Sequence, residues 1–207
     1  MNRRRFLAML SMAAVPPLTA SALGAPSAAI DVDGILSDRD APLGGNPKGD
    51  VTIVAFLDYN CPFCKRTAPD LQRFVSTDGK IRLVYKDWAI LADTSVYGAR
   101  LALAAKYQGK YETAHAALMG IRGQKASEAS MLEAVKAAGV DMTALQRDLD
   151  AHNQAIGDLL KRNMVQADAL GLQGTPVYLI GPCVVAAALD YDGFGQVVAK
   201  FRARIAK

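Results

Sequence analysis

The stretch 56-FLDYNCPFCKRTAPDL-71 sets two cysteines, Cys61 and Cys64, at a change of period. Before it, 51-VTIVAFL-57 is mostly apolar and β-branched, which suits a buried strand. After it, Leu71, Phe74 and Val75 recur at helical spacing, predicting a helix from about Cys61 to Val75. Pro62 fits near the helix start, where a missing N–H costs nothing, and Pro69 should kink the interior. A turn at 78-DGK-80 leads to a second strand, 81-IRLVYK-86. Strand, helix and strand at these spacings make a βαβ unit.

A Cys-x-x-Cys pair serves a metal, a haem, a structural staple or a redox centre. A closed zinc site needs about four N or S ligands. Beyond the pair only Cys183, His115 and His152 remain, with no second Cys-x-x-Cys, so no metal is expected. A c-type haem needs His directly after the second cysteine, and Lys65 stands there. A structural disulfide between residues so close gains little chain entropy. The redox reading explains more. Unpaired N–H groups and the helix dipole favour an anion at a helix N-terminus, so a cysteine there is held partly as thiolate, the nucleophilic form. On this reading Cys61, on the loop side, is the exposed attacker. Cys64, one turn in, is the buried resolving thiol on the same face.

Outward from this unit, residues 30–50 are polar and punctuated by Gly and Pro, and read as a lead-in arm. Residues 94–170 read as several packed helices, too long for a loop, with Ser127 and Asp141 as helix starts and Gly171 as a stop. The period then drops. The segment 175-TPVYLIG-181 is a short strand, and 182-PCVVAAALD-190 is a turn with a second short strand. Phe194, Val197, Val198, Phe201 and Ile205 mark one side of a closing amphipathic helix. The expected organisation is 1–29 a leader, 30–50 an arm, 51–93 a first α/β part, 94–170 a helical insertion and 171–207 a second α/β part.

The leader carries Arg3, Arg4 and Arg5, an uncharged apolar run and small residues ending at Ala22 or Ala29, the layout of a secretory signal. Its 3-RRRFL-7 has the twin-arginine pattern. Pro16-Pro17 makes the run a poor membrane span. Three of the 24 basic residues and none of the 20 acidic ones lie in the leader, so the remainder carries 21 against 20, a net charge of +1. No basic stripe points to nucleic acid. All three cysteines lie beyond the leader, and export permits disulfide chemistry.

The turn 174-GTP-176 is the second signal. A proline entering a strand after the helical block is a place for a cis bond, with Thr175-Pro176 beside Cys61 and ready to pair with an extended chain. An ordinary trans proline is the alternative.

Taken together, these segments resemble the DsbA-like branch of the thioredoxin superfamily. The matching elements are 44-GGNPKGDVTIVAFLDYNCPFCKRTAPDL-71, 83-LVYKDWAIL-91, the helical block, 171-GLQGTPVYLIG-181 and 188-ALDYDGF-194, and the likeness runs from about Asp40 to the C-terminus. The resemblance implies an α/β thioredoxin fold with an inserted all-helical domain. It implies periplasmic thiol–disulfide exchange with protein or peptide thiols and disulfides, a membrane or periplasmic redox partner, and no cofactor. Cys61 and Cys64 correspond to the redox pair, Pro62-Phe63 to the dipeptide between them, and Thr175-Pro176 to the cis-proline loop that binds substrate. Isomerases of this type are usually dimers or trimers, which leaves a homo-oligomer built on residues 30–49 open.

The chain departs from the family pattern at several positions. Ala55 stands where relatives carry an acid thought to move the proton of the buried cysteine; Asp58 is not in that place. Phe63 stands where strongly oxidising relatives carry His, and it cannot hydrogen-bond a thiolate. Ala89 and Ala187 replace prolines, which suggests looser loops. The Cys61 pKa is therefore expected between about 3.5, as in DsbA, and about 7, as in thioredoxin. A non-catalytic peptide-binding module with a structural disulfide is the rival reading.

Other residues are expected to be structural. Cys183, ~20 Å along its strand from the pair, reads as a turn residue. His115 and His152 read as helix-surface or packing residues. Lys86 reads as a solvated strand end, and Met119, Met131, Met142 and Met164 as core filling.

Overall fold

In the computed structural model, which describes residues 30–123 and 125–206, Val51–Leu57 forms strand β2 and Ile81–Asp87 forms strand β3. They pair in parallel with Val51 opposite Ile81 and Leu57 opposite Asp87. The connection is helix α2, Pro62–Asp78, which presents Cys64, Thr67, Leu71, Phe74 and Val75 to the sheet. The helix accommodates Pro69 and runs one turn beyond the sequence expectation. Gly79, with φ of 68°, ends it by donating its N–H to Val75 O. Val177–Ile180 (β4) pairs antiparallel with β2, and Cys183–Val185 (β5) with β4.

The expected polar arm is more ordered than its composition suggests. It holds a short helix, Val32–Leu36 (α1), and a strand, Leu43–Gly45 (β1), paired antiparallel with β3. Among the described residues the sheet therefore has five strands in the order β1-β3-β2-β4-β5. The strand is three residues long and carries two glycines, so no alternation could announce it.

Between β3 and β4 lie α3 (Asp93–Ala105), α4 (Tyr111–Met119), α5 (Glu128–Ala137), α6 (Met142–Ala151) and α7 (Asn153–Ala169). Ser127 and Asp141 cap α5 and α6 as expected, each accepting the N–H three residues on. Tyr191–Ile205 (α8) closes the chain. Arg202 on α8 pairs with Asp50 and Asp78, both at 2.7 Å, tying the helix to the start of β2 and the end of α2.

The sheet separates two cores. The front core joins Ile53, Ala55, Leu57, Leu83 and Tyr85 to α2, α8 and the helical block in one cluster, so the insertion has no core of its own. The back core packs Val54, Phe56, Val84 and Trp88 against Ile35 of α1 and Ala167 of α7. Met119 and Met131 fill the front core, whereas Met164 is 43% exposed, contrary to expectation. Among the described residues no helix is long and apolar enough to cross a membrane. The expected leader lies outside the described residues.

Candidate active site

Cys61 is the N-cap of α2, with extended backbone (φ −78°, ψ 117°). Its sulfur accepts the backbone N–H of Cys64 at 3.3 Å, the bond a capping side chain makes. Pro62 at the first helical position gives up no bond, as expected. Cys64 follows one turn in, and both cysteines are free thiols.

The polar residues just before the pair fix this turn. Asp58, fully buried, accepts the N–H groups of Asn60, Ile90 and Leu91 and the hydroxyl of Ser95, all within 3.0 Å. Asn60 donates to Thr94 and Ser95 at 2.9 Å and accepts the Ala126 N–H at 2.8 Å. These bonds tie the redox loop to the start of α3 and to the loop before α5. The sequence alone gives Asp58 and Asn60 no role at the site. A buried acid and amide beside the cysteines were the available signal.

From the opposite side come Thr175 and Pro176, joined by a cis peptide bond. The Cys61 thiol donates to Thr175 O at 3.1 Å. The Thr175 hydroxyl is buried with no hydrogen-bond partner. The structure thus brings together all the residues singled out in sequence: Cys61, Cys64, Thr175 and Pro176, with Phe63 51% exposed beside them.

One expectation fails. Cys61 was expected to be exposed, yet it is only 2% exposed and Cys64 not at all. The Thr175 carbonyl reaches the sulfur directly and shields it. A groove lined by Phe63, Thr175, Pro176 and Val177 lies beside it.

The electrostatics of the two thiols are opposite. A hydrogen bond from the Cys64 thiol holds the Cys61 pKa down to about 6, against burial, with help from the Cys64 and Phe63 N–H groups. Burial first, and the bond given to Cys61 second, push the Cys64 thiol far above its ordinary value. At neutral pH one sulfur is charged and its neighbour holds a proton.

Behind the pair, Ala55 carries no acid, and its ladder partner is Tyr178. The buried Tyr178 phenol donates to the Thr67 hydroxyl at 3.4 Å, one turn beyond Cys64. Thr67 in turn donates to Leu189 O. Asp87, at the end of β3, is a second buried acid, on the front face of the sheet. It accepts the Tyr111 hydroxyl at 3.0 and 3.1 Å, and burial raises it to about 7 despite bonds from Tyr59 and Tyr111. Tyr59 is also joined to His115 Nδ1 at 3.0 Å. His115 is thus a buried packing residue, and burial lowers it to about 4.

Lys86 is not the solvated strand end expected. It is fully buried on the back face, away from Cys64, and pairs with Asp38 at 2.9 Å. Strand alternation puts Tyr85 and Asp87 forward and Lys86 back. Cys183 opens β5, outside the site. His152 stacks on Tyr107 at 3.6 Å between ring centroids.

Comparison with known proteins agrees with this geometry. A thioredoxin family model matches residues 37–200. A thioredoxin-like oxidoreductase from Silicibacter pomeroyi DSS-3 is 40% identical with TM-score 0.77, covering 84% of this chain and 98% of its own. The thiol-disulfide exchange protein alpha-DsbA2 from Wolbachia pipientis is 29% identical with TM-score 0.76, covering 82% and 91%. A periplasmic thioredoxin-like protein from Salmonella enterica serovar Typhimurium is 26% identical with TM-score 0.69, covering 81% and 93%. No curated protein matches. With the fold, the free Cys-x-x-Cys pair and the cis-proline loop assembled at one helix end, the chain belongs to the thioredoxin superfamily, as a DsbA-like thiol–disulfide oxidoreductase.

Proposed function

We propose that this protein is exported to the periplasm and passes its Cys61–Cys64 disulfide to protein thiols. A substrate thiolate attacks Cys61, forming a mixed disulfide, and Cys64 leaves as thiolate and takes up the proton that the substrate thiol gave to solvent. A second substrate thiolate then attacks the substrate sulfur of that bond. Cys61 leaves as thiolate, and the substrate holds the new disulfide. Two substrate thiols are oxidised, and the protein disulfide is reduced to a Cys61 thiolate and a Cys64 thiol. In the reverse step Cys64 releases a trapped substrate by attacking Cys61.

The observation that carries the reading is the divided thiol pair. Cys61 held at about 6 is a good leaving group at neutral pH, and a stabilised reduced form makes the disulfide oxidising. The Thr175 carbonyl beside the sulfur supplies an edge for an extended substrate chain. A membrane or periplasmic redox partner would restore the disulfide. The periplasmic location rests on the leader in residues 1–29.

The test is refolding of reduced and of scrambled ribonuclease, beside insulin reduction, with a Cys64→Ser variant to trap mixed disulfides. The expected result is oxidation of reduced ribonuclease and a substrate adduct on Cys61 of the variant. Inactivity in all three assays, with Cys61 inert to alkylation after reduction, would instead make the protein a peptide-binding module.

A further inference from the structure

On the side of α2 away from the cis-proline loop lies a second cavity, of about 550 Å³. Pro62 lines it, whereas its neighbour Phe63 lines the groove with Thr175 and Pro176. Consecutive helical residues point about 100° apart, so the two hollows flank the helix start that carries Cys61. Pro62 and Phe63 directly follow Cys61, so both hollows lie next to the residue proposed to take the substrate cysteine.

The walls of the second cavity are apolar: Ala68, Pro69 and Leu71 from α2, and Ala116, Met119 and Ile121 from α4 and the loop after it. Its volume suits one or two large side chains. Its ionised groups are unbalanced. Lys65, Arg66 and Arg122 line it against a single acid, Glu112. That carboxylate is engaged by the Tyr85 hydroxyl at 2.9 Å. Lys65 donates to Gly123 O at 3.0 Å, and the Arg66 guanidinium lies 5.0 Å from the Phe63 ring. Among the described residues, no carboxylate forms an ion pair with any of the three cations. His115 faces the cavity as a neutral ring, because burial keeps it unprotonated, and adds no charge.

We infer that this cavity seats the segment flanking a substrate cysteine, and that it selects an apolar side chain next to a carboxylate. The apolar walls take the first and the three cations at the rim take the second. The inference rests on the reading of Cys61–Cys64 as the exchange pair. It adds a substrate class: cysteines in apolar, acidic surroundings are oxidised ahead of those in basic ones.

The test uses dithiol peptides with a fluorophore and quencher, carrying Leu-Glu, Leu-Gln or Leu-Lys beside the first cysteine. Each is oxidised by the disulfide form of the protein, two peptide thiols giving one peptide disulfide and two protein thiols. At low salt the Glu peptide should react about 10-fold faster than the Lys peptide, with Gln between, and the spread should shrink to about twofold at 0.5 M salt. In the Arg66→Glu, Arg122→Glu double variant, with its unfolding midpoint as the check on folding, the order should reverse. Equal rates for the three peptides would overturn the inference and leave the exchange reading standing. A Glu preference that survives the double substitution, or high salt, would also overturn it. Failure of every peptide to be oxidised would overturn the exchange reading itself.

Discussion

At the scale of the residue, the chemistry turns on what surrounds Cys61. The thiol is capped by a backbone N–H, bonded by its partner thiol and faced by Thr175, and it titrates near 6. The rate of Cys61 alkylation by iodoacetamide should therefore rise with pH to half its maximum near 6 and be flat above about 8. The value lies between about 3.5, as in DsbA, and about 7, as in thioredoxin. Supplying a hydrogen-bond donor with Phe63→His should lower the pKa by about one unit, which corresponds to ~30 mV more oxidising. Thiolate absorbance and a glutathione titration check both numbers. The meeting of Cys61, Cys64, Thr175 and Pro176 at one helix end was legible in sequence because a Cys-x-x-Cys at a strand–helix junction and a Pro entering a strand leave few arrangements. The burial of Cys61 was not legible, since the carbonyl that covers it lies 114 positions away.

At the scale of the element, two buried acids respond to pH in opposite directions. Asp38 precedes β1 and meets Lys86 of β3 and Arg162 of α7. Burial opposes its ionisation, but bonds from Arg162 and Lys86 outweigh this and hold it at about 2. Its pKa is depressed on folding, so its contribution is complete above the unfolded value and is lost as pH falls through about 2. Asp38→Ala leaves Lys86 buried without a partner and should cost about 3–5 kcal/mol in chemical denaturation at neutral pH. Asp87 on β3 is raised to about 7, so its contribution is complete below the unfolded value and is lost as pH rises through about 7. Asp87→Asn should raise the unfolding temperature at pH 8 and change it little at pH 4. The pair Lys86 and Asp87 shows why sequence went wrong here. Strand period says that neighbours face opposite ways, but the partner of Lys86 sits 48 positions away in a segment with no periodicity. The long strands and helices were legible because their apolar residues recur at fixed intervals, and β1 was not because three residues cannot display one.

At the scale of the whole molecule, the helical block completes the redox site and shares its core. Asn60 is the joint: its amide binds Thr94, Ser95 and Ala126 at once, linking the cysteine loop to two helices. Asn60→Ala leaves the Ser95 and Ala126 groups short of partners and should cost about 2–4 kcal/mol. Amide hydrogen exchange should show the loss shared by α2, α3 and α5, because the front core is continuous. Cys183→Ser, remote from this joint, should leave the potential and the oxidation rate unchanged. The order of strands and helices was read from the sequence, whereas the sharing of one core across the expected boundaries at 93 and 170 was not, because periodicity reports faces and not their partners. The proposed exchange requires Cys61 and Cys64 to form a moderately oxidising couple. Equilibration of the pair with glutathione should give a two-electron potential between about −270 mV, as in thioredoxin, and about −120 mV, as in DsbA. A potential below about −300 mV, the range of structural disulfides, would contradict it.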